Sequence, residues 1–150
     1  MPSQPLSLAL AQMASTPDWQ TNRSTVQTVL AEHTQPEDLA VFPECVLCLG
    51  RGRTVRETAR TVAETVAELG GICKETQRAT VFGGVPVREK DGVRNSSLMF
   101  SSTGELLARY DKIHLFRLDP DGPGGIDESR VYAAGTEPVV VNHNGWRIGL

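Results

Sequence analysis

Glu44 is the first side chain in this sequence whose type and position would suit acyl-transfer chemistry. It directly follows the apolar run Leu39–Phe42 and Pro43, so its carboxylate would lie at the end of a buried strand, at the rim of a sheet. Burial there would raise its pKa and make it a usable general base. The alternative is a solvated glutamate at a strand end, and this segment alone favours that interpretation.

Lys112 and Glu128 are the other two charged candidates. Lys112 lies in a run of strand formers, where an extended backbone would place it on the same face as His114. A lysine directed into a cleft would stabilise the oxyanion of acyl transfer, whereas a surface lysine on an edge strand is an equally good interpretation. Glu128 lies in a long loop, and without other information a solvated loop glutamate is the better interpretation.

The three cysteines are Cys45, Cys48 and Cys73, and their odd number argues against a disulfide framework. In a strand, Cys45 would point away from Glu44. The spacing of Cys45 and Cys48 raises the alternative of a thiol oxidoreductase, although the surrounding residues lack the usual proline or tryptophan. The thiols and histidines have no zinc-finger spacing, and nothing predicts a metal or an organic cofactor.

Length and composition indicate one ordinary globular domain. The chain has 150 residues, of which 39% are hydrophobic and 22% charged, with a net charge of −3. No apolar run approaches the roughly 20 residues of a membrane span, and the short stretch from Leu6 to Ala11 suits a first strand better than a signal peptide. Basic residues are scattered, so neither nucleic acid nor a membrane is an expected partner, and a cytoplasmic location is the default.

The first half of the chain alternates strands with helices. We expect a helix over about 19–34 with Asp18 as N-cap, and a buried strand over 39–42. Apolar residues then recur at helical spacing, which predicts one helix with a single buried face. That face consists of Val55, Ala59, Val62, Val66 and Leu69. Gly70 and Gly71 could end or bend this helix, although Ile72 and Cys73 could continue it.

Strand patterns dominate the second half. Segments 80–87, 95–101 and 105–110 are separated by turn residues and predict an antiparallel meander. Residues 117–136 predict a long ordered loop, and such loops are usually functional. Segments 139–141 and 147–150 predict a hairpin. The order of elements predicts an α/β layered fold in which helices cover a mixed sheet.

Taken together in order, these segments resemble the nitrilase, or carbon–nitrogen hydrolase, superfamily. The resemblance rests on the run 41–44 (Val-Phe-Pro-Glu), on the run 110–116 around Lys112, and on Glu128-Ser129 with Gly135. The opening strand 8–12, Asn22, Gly83-Gly84, Asn95-Ser96 and the turn 102–105 extend it over nearly the whole chain. The segments around Lys112 and Glu128 look most like the omega-amidase branch.

The resemblance implies a layered α-β-β-α sandwich and an amide hydrolase that releases ammonia and a carboxylate through a thioester. It implies that Glu44 is the general base, Lys112 the oxyanion-stabilising cation and Glu128 an accessory glutamate. The family's cysteine nucleophile would lie a few residues beyond Leu150, because the segment 145–150 resembles the strand that leads to it. Residues 1–150 would then be an incomplete, N-terminal part of the domain.

Further expectations concern the behaviour of the protein. The resemblance implies a small-molecule amide substrate and, in the full-length form, a homo-oligomer such as a dimer. The 150-residue chain alone is expected to be inactive. The alternative is a non-catalytic fragment or interaction module, which would expose an unpaired strand edge and associate or dissolve poorly.

Overall fold

A computed structural model describes residues 5–122 and 124–150. The helices are α1 (Trp19–His33), α2 (Gly52–Thr58) and α3 (Val62–Thr76), and a short 3-10 helix spans Glu128–Arg130. The strands are β1 (Leu8–Leu10), β2 (Leu39–Phe42), β3 (Arg60–Thr61), β4 (Ala79–Glu89), β5 (Gly92–Phe100), β6 (Leu106–Asp111), β7 (Arg117–Leu118), β8 (Ile126–Asp127), β9 (Val140–His143) and β10 (Trp146–Gly149).

A mixed six-stranded sheet forms the centre of the fold. Its order is β1-β2-β4-β5-β6, and β3 pairs with the far part of β4. Strands β1, β2 and β4 are parallel, whereas β4, β5 and β6 form the predicted antiparallel meander. The parallel half places the end of β2 beside the middle of β4, because Phe42 pairs with Phe82. The loop after β2 therefore emerges next to the meander.

The two faces of this sheet bury alternate residues of each strand. Ala40 and Phe42 of β2 pack with Phe82 against helices α1 and α3, while Leu39 and Val41 face the opposite side. There the β9–β10 hairpin packs through Val141 and Ile148. This order of helices, sheet and second sheet confirms the predicted layered α/β fold.

The single helix predicted through Val55 and Leu69 is wrong. Helix α2 ends at Thr58, the two residues of β3 pair with β4, and α3 begins at Val62. A capping box causes the break, because Thr61 Oγ1 accepts from Glu64 N at 3.3 Å while the Glu64 carboxylate accepts from Thr61 N at 2.9 Å. Apolar spacing that continues across the break mimics one helical face.

Two other predicted segments agree with the structure. Helix α1 starts at the expected N-cap, where Asp18 Oδ1 accepts from Thr21 N at 2.7 Å. The β9–β10 hairpin turns at Asn144 and Gly145, both with positive φ (48° and 82°), as a two-residue type I′ turn requires. Among the helices described, none has the length and apolar composition of a membrane span.

Candidate active site

The three charged residues singled out in the sequence meet at one point of the structure. Lys112 Nζ lies 2.9 Å from Glu44 Oε1 and 2.9 Å from Glu128 Oε2. The lysine ammonium thus bridges two carboxylates that are 84 residues apart in sequence (128 − 44). Two nearby carboxylates repel each other, and a cation between them removes that cost. The lysine side chain is 24% exposed, so the pair is partly screened by solvent.

Glu44 reaches this point because β2 stops before it. Pro43 lacks a backbone N–H, and Cys45 adopts a left-handed backbone conformation (φ 59°), so the chain turns out of the sheet. Strand β4 shifts register between Phe82 and Val85, opposite this turn. Gly84 lies in the irregular stretch, and a Cβ at that position would lie 2.5 Å from Glu44 Cγ. Only glycine therefore permits the close approach of Glu44 to β4.

Lys112 directly follows β6, and its backbone N–H donates to Asn95 O at 2.8 Å. Tyr110, Lys112 and His114 line the same cavity. The hydroxyl of Tyr110 accepts from Ile113 N at 3.1 Å, which fixes the bend after the lysine. Lys112 and His114 thus face one cavity, but across a bend at Ile113 and His114 and not along the extended strand that was predicted.

Glu128 is held by the long loop over 117–136, whose described part is ordered by short elements. Strands β7 and β8 pair with each other, and the 3-10 helix begins directly after them at Glu128. Phe116 N donates to Glu128 Oε2 at 2.7 Å, and Glu128 N donates to Phe116 O at 3.0 Å. The loop carboxylate is thus fixed to the segment that follows Lys112, and its side chain is only 19% exposed.

The charges of the site reinforce one another. Partial desolvation is the largest influence on Glu44, but hydrogen bonds from Lys112 and Asn95 and the lysine charge outweigh it, so the pKa of Glu44 is lowered. Desolvation acts to lower the pKa of Lys112, but hydrogen bonds and charge interactions with Glu44 and Glu128 outweigh it, so the pKa of Lys112 is raised. Burial does act to raise the pKa of Glu44, but the expected net rise is wrong, because Lys112 and Asn95 stabilise the ionised carboxylate more strongly. Both groups are ionised at neutral pH.

Asn95 is a site residue that the sequence interpretation did not single out. It lies on β5 and is only 4% exposed, and its Nδ2 donates to Glu44 Oε1 at 2.8 Å. Its neighbour Ser96 faces the other way and donates to Asp111 Oδ1 at 2.6 Å. The available sequence signal was the polar run from Arg94 to Ser97 at the start of a predicted central strand, where buried polar side chains need hydrogen-bond partners.

These side chains line an open cavity of about 390 Å³, within the range of pockets for small molecules. Carboxylate, amide, hydroxyl, imidazole and ammonium groups face one volume. The lining residues are Glu44, Gly83, Gly84, Asn95, Ser97, Tyr110, Lys112 and His114. Within residues 5–122 and 124–150, no group of three or more His, Cys, Asp or Glu side chains is arranged to hold a metal ion.

The cysteines are free, and their surroundings are unlike those of a redox motif. Burial, followed by the charges of Glu44 and Glu128, raises the pKa of Cys45 to about 11. Cys48 is buried, and its sulfur accepts from Thr58 Oγ1 at 3.2 Å. Reactive thiols of oxidoreductases have lowered pKa values, so this arrangement argues against the thiol oxidoreductase alternative.

Fold and site together define a class: a layered α/β protein with a cavity in which one lysine bridges two glutamates. The family model for carbon-nitrogen hydrolases matches residues 7–150. The chain belongs to the carbon-nitrogen hydrolase family.

Individual relatives agree with this assignment. The chain is 35% identical over 86 residues to the chloroplastic omega-amidase of Arabidopsis thaliana, covering 57% of this chain and 23% of that protein. It is 34% identical over 120 residues to the omega-amidase YafV of Yersinia enterocolitica, covering 80% and 43%. In structure it is similar to the C. elegans NitFhit protein, with a TM-score of 0.81, 24% identity and coverage of 95% and 36%. The chain spans less than half the length of each of these relatives.

Proposed function

We propose that the full-length protein containing this chain hydrolyses the amide bond of a small molecule and releases ammonia and a carboxylate. The observation that supports this most directly is the Lys112 ammonium held between Glu44 and Glu128 at the edge of an open cavity. An amide carbonyl is a poor electrophile, so its hydrolysis needs a nucleophile, a base and a fixed positive charge.

Lys112 is the oxyanion-stabilising group in this proposal. An ammonium has three N–H donors, and the two glutamates account for two of them. The third can be donated to the carbonyl oxygen of a bound amide as negative charge develops there. Because Glu128 is held in turn by the backbone of Phe116, the lysine is oriented before the substrate arrives.

Glu44 is the general base. It is ionised in the resting site, so it can accept the proton of an incoming thiol and give it to the departing ammonia. Its lowered pKa limits its strength as a base while Lys112 is bound to it. As negative charge develops on the carbonyl oxygen bonded to the third N–H of Lys112, repulsion between like charges raises the pKa of Glu44 and with it the basicity of the carboxylate. The same carboxylate then activates the water that hydrolyses the thioester.

The nucleophile in this proposal is a cysteine beyond Leu150. The three cysteines of this chain are poor candidates, since Cys45 has a raised pKa and Cys48 and Cys73 are buried. A thiolate is the attacking species, so a pKa of about 11 leaves little of it at neutral pH. The 150-residue chain alone is accordingly proposed to be inactive.

The proposed substrate class is a small omega-amide. Support comes from the similarity to the omega-amidases of Arabidopsis thaliana and Yersinia enterocolitica and from the polar lining of the cavity. His114, Tyr110 and Ser97 line the cavity together with Lys112 and offer hydrogen-bonding groups for the polar end of such a substrate.

The test measures ammonia released from omega-amides by the full-length protein. Lys112→Ala removes the oxyanion donor and is expected to lower kcat by about 100- to 1,000-fold. Glu44→Gln removes the base, and we expect a decrease of about 100- to 10,000-fold. The exposed residues Lys90 and Glu37 provide matched controls, and Lys90→Ala and Glu37→Gln should retain full activity. Wild-type turnover in Lys112→Ala or Glu44→Gln would remove that residue from the mechanism.

A further inference from the structure

Asn95 contacts both halves of the charge pair. Its side-chain Nδ2 donates to Glu44 Oε1 at 2.8 Å, while its main-chain carbonyl accepts the Lys112 backbone N–H at 2.8 Å. Asn95 lies on β5, which pairs with β4 on one side and β6 on the other. One residue of the central meander thus fixes the position of Glu44 relative to Lys112.

The direction of the hydrogen bond follows from its chemistry. An ionised carboxylate only accepts hydrogen bonds, so the amide nitrogen of Asn95, and not its oxygen, must face Glu44. Both the Asn95 and the Lys112 hydrogen bonds go to Oε1. The other oxygen, Oε2, is the one left to receive a proton.

The surroundings of Asn95 restrict its rotamer. Asn95 is 4% exposed. A Cβ at Gly84 would lie 3.0 Å from Asn95 Oδ1, so the irregular stretch of β4 packs closely against the amide. A buried amide with one donor given to an ion is costly to rotate, because its polar atoms would lose their partners. Glu44, by contrast, is more than half exposed and lies on a loop.

We propose that Asn95 is the positioning residue of the general base: it holds Oε1 of Glu44 so that Oε2 faces the reacting atoms. An amide suits this role because it does not titrate and therefore cannot take the proton that Glu44 must carry. This inference rests on the proposed amide hydrolysis for its catalytic consequence, whereas the contact itself can be tested without catalysis.

The kinetic test uses the full-length protein and the variants Asn95→Ala and Asn95→Asp. Loss of a hydrogen bond to an ion is expected to reduce kcat by about 10- to 100-fold, with a smaller change in KM. Removing a donor to the carboxylate raises the pKa of Glu44, so the acid limb of the kcat/KM profile should move to higher pH. Asn95→Asp keeps the size of the side chain and should move that limb further, because like charges repel.

Ser96→Ala is the matched control. It removes a buried hydrogen bond of the same strand on the side away from the cavity, and Asp111 keeps its bond from Arg109 Nε at 2.9 Å. Its acid limb should coincide with that of the wild type. If Asn95→Ala and Asn95→Asp kept kcat within twofold and left the acid limb in place, Asn95 would be no more than a structural residue.

A second measurement separates this inference from the proposed function. In the full-length protein and its variants, ¹³C NMR of the glutamate carboxyls follows the titration of Glu44, which is assigned by the signal lost in Glu44→Gln. We expect a higher pKa of Glu44 in Asn95→Ala and an unchanged one in Ser96→Ala. A full-length protein without amidase activity would refute the proposed function only. An unchanged pKa of Glu44 in Asn95→Ala would overturn the role of Asn95.

Discussion

The residue types at positions 44, 112 and 128 could be chosen from the sequence, but their electrostatics could not. Glu44 follows an apolar run, Lys112 lies among strand formers and Glu128 lies in a loop. The family resemblance selected all three, and they do converge. The direction of the Glu44 pKa depends on Asn95 and Lys112, which are 51 and 68 positions away. Such long-range donors are invisible in a single segment, so burial alone suggested the wrong sign.

The surroundings of Cys45, next to Glu44, likewise could not be predicted from the local sequence. The expectation that Cys45 would point away from Glu44 applied only to a strand, and that condition is not met, because β2 ends at Phe42 and Cys45 has a φ of 59°. The residue instead experiences the negative charges of Glu44 and Glu128, which raise the pKa of its thiol beyond the effect of burial.

A chemical-modification experiment on the 150-residue chain tests this account of Cys45. At pH 8 its alkylation by iodoacetamide should be at least about tenfold slower than that of an unstructured cysteine peptide, because the thiolate fraction is small. Glu44→Gln removes a negative charge and should accelerate the reaction. Glu37→Gln, an exposed control, should not. Rates are measured by mass spectrometry of the Cys45 peptide, and a wild-type rate equal to that of the free peptide would refute the account.

At the scale of elements, hydrophobic periodicity located most helices and strands but missed one boundary. Helix α1, strand β2 and the meander β4–β6 follow the predicted segments closely. The division between α2 and α3 depends on the polar pair Thr61 and Glu64, and on two residues of β3 that pair with β4. The spacing of apolar residues contains no information on a polar capping box or on a two-residue strand. The prediction from that spacing was therefore one helix where the structure has two.

The continuation of α3 through Gly70 and Gly71 has a packing explanation. A Cβ on Gly70 would lie 2.5 Å from the carbonyl oxygen of Gly104, in the turn between β5 and β6. Nothing lies within 4 Å of a Cβ on Gly71. Gly70 therefore allows the helix to approach the sheet, whereas Gly71 has no such role.

These two neighbouring glycines form a matched pair of variants. Gly70→Ala should lower the free energy of unfolding by about 1–3 kcal/mol, because a methyl group would be forced against backbone. Gly71→Ala should raise it by about 0.5–1 kcal/mol, since alanine is the better helix former at an open position. Urea unfolding followed by circular dichroism measures both. Equal stability of the two variants would show that the contact between Gly70 and Gly104 does not constrain α3.

At the scale of the whole molecule, the order of the elements was sufficient to predict a layered α/β fold. It was not sufficient to predict the path by which the long loop brings Glu128 to the site. Glycines, prolines and few apolar residues over 117–136 predicted an ordered functional loop. Its path is set by the pairing of β7 with β8 and by the hydrogen bonds between Phe116 and Glu128. Together these contacts place the carboxylate of Glu128 beside Lys112.

The residues of the candidate active site come from distant parts of the chain. Glu44 follows a parallel strand, Asn95 lies in the antiparallel meander and Lys112 directly follows it. Glu128 comes from the loop. The β9–β10 hairpin packs on the sheet through Ile148, close to the end of the described chain. In the proposed mechanism, a cysteine beyond Leu150 completes this arrangement.

Trapping the covalent intermediate is the decisive test of the proposed thioester mechanism. The full-length protein is mixed with excess omega-amide and quenched with acid within milliseconds, and the intact protein and its peptides are analysed by mass spectrometry. We expect an acyl adduct on a cysteine beyond Leu150, formed in the wild type and absent in Lys112→Ala. Ammonia release without any cysteine adduct, or an adduct on Cys45, Cys48 or Cys73, would contradict the account.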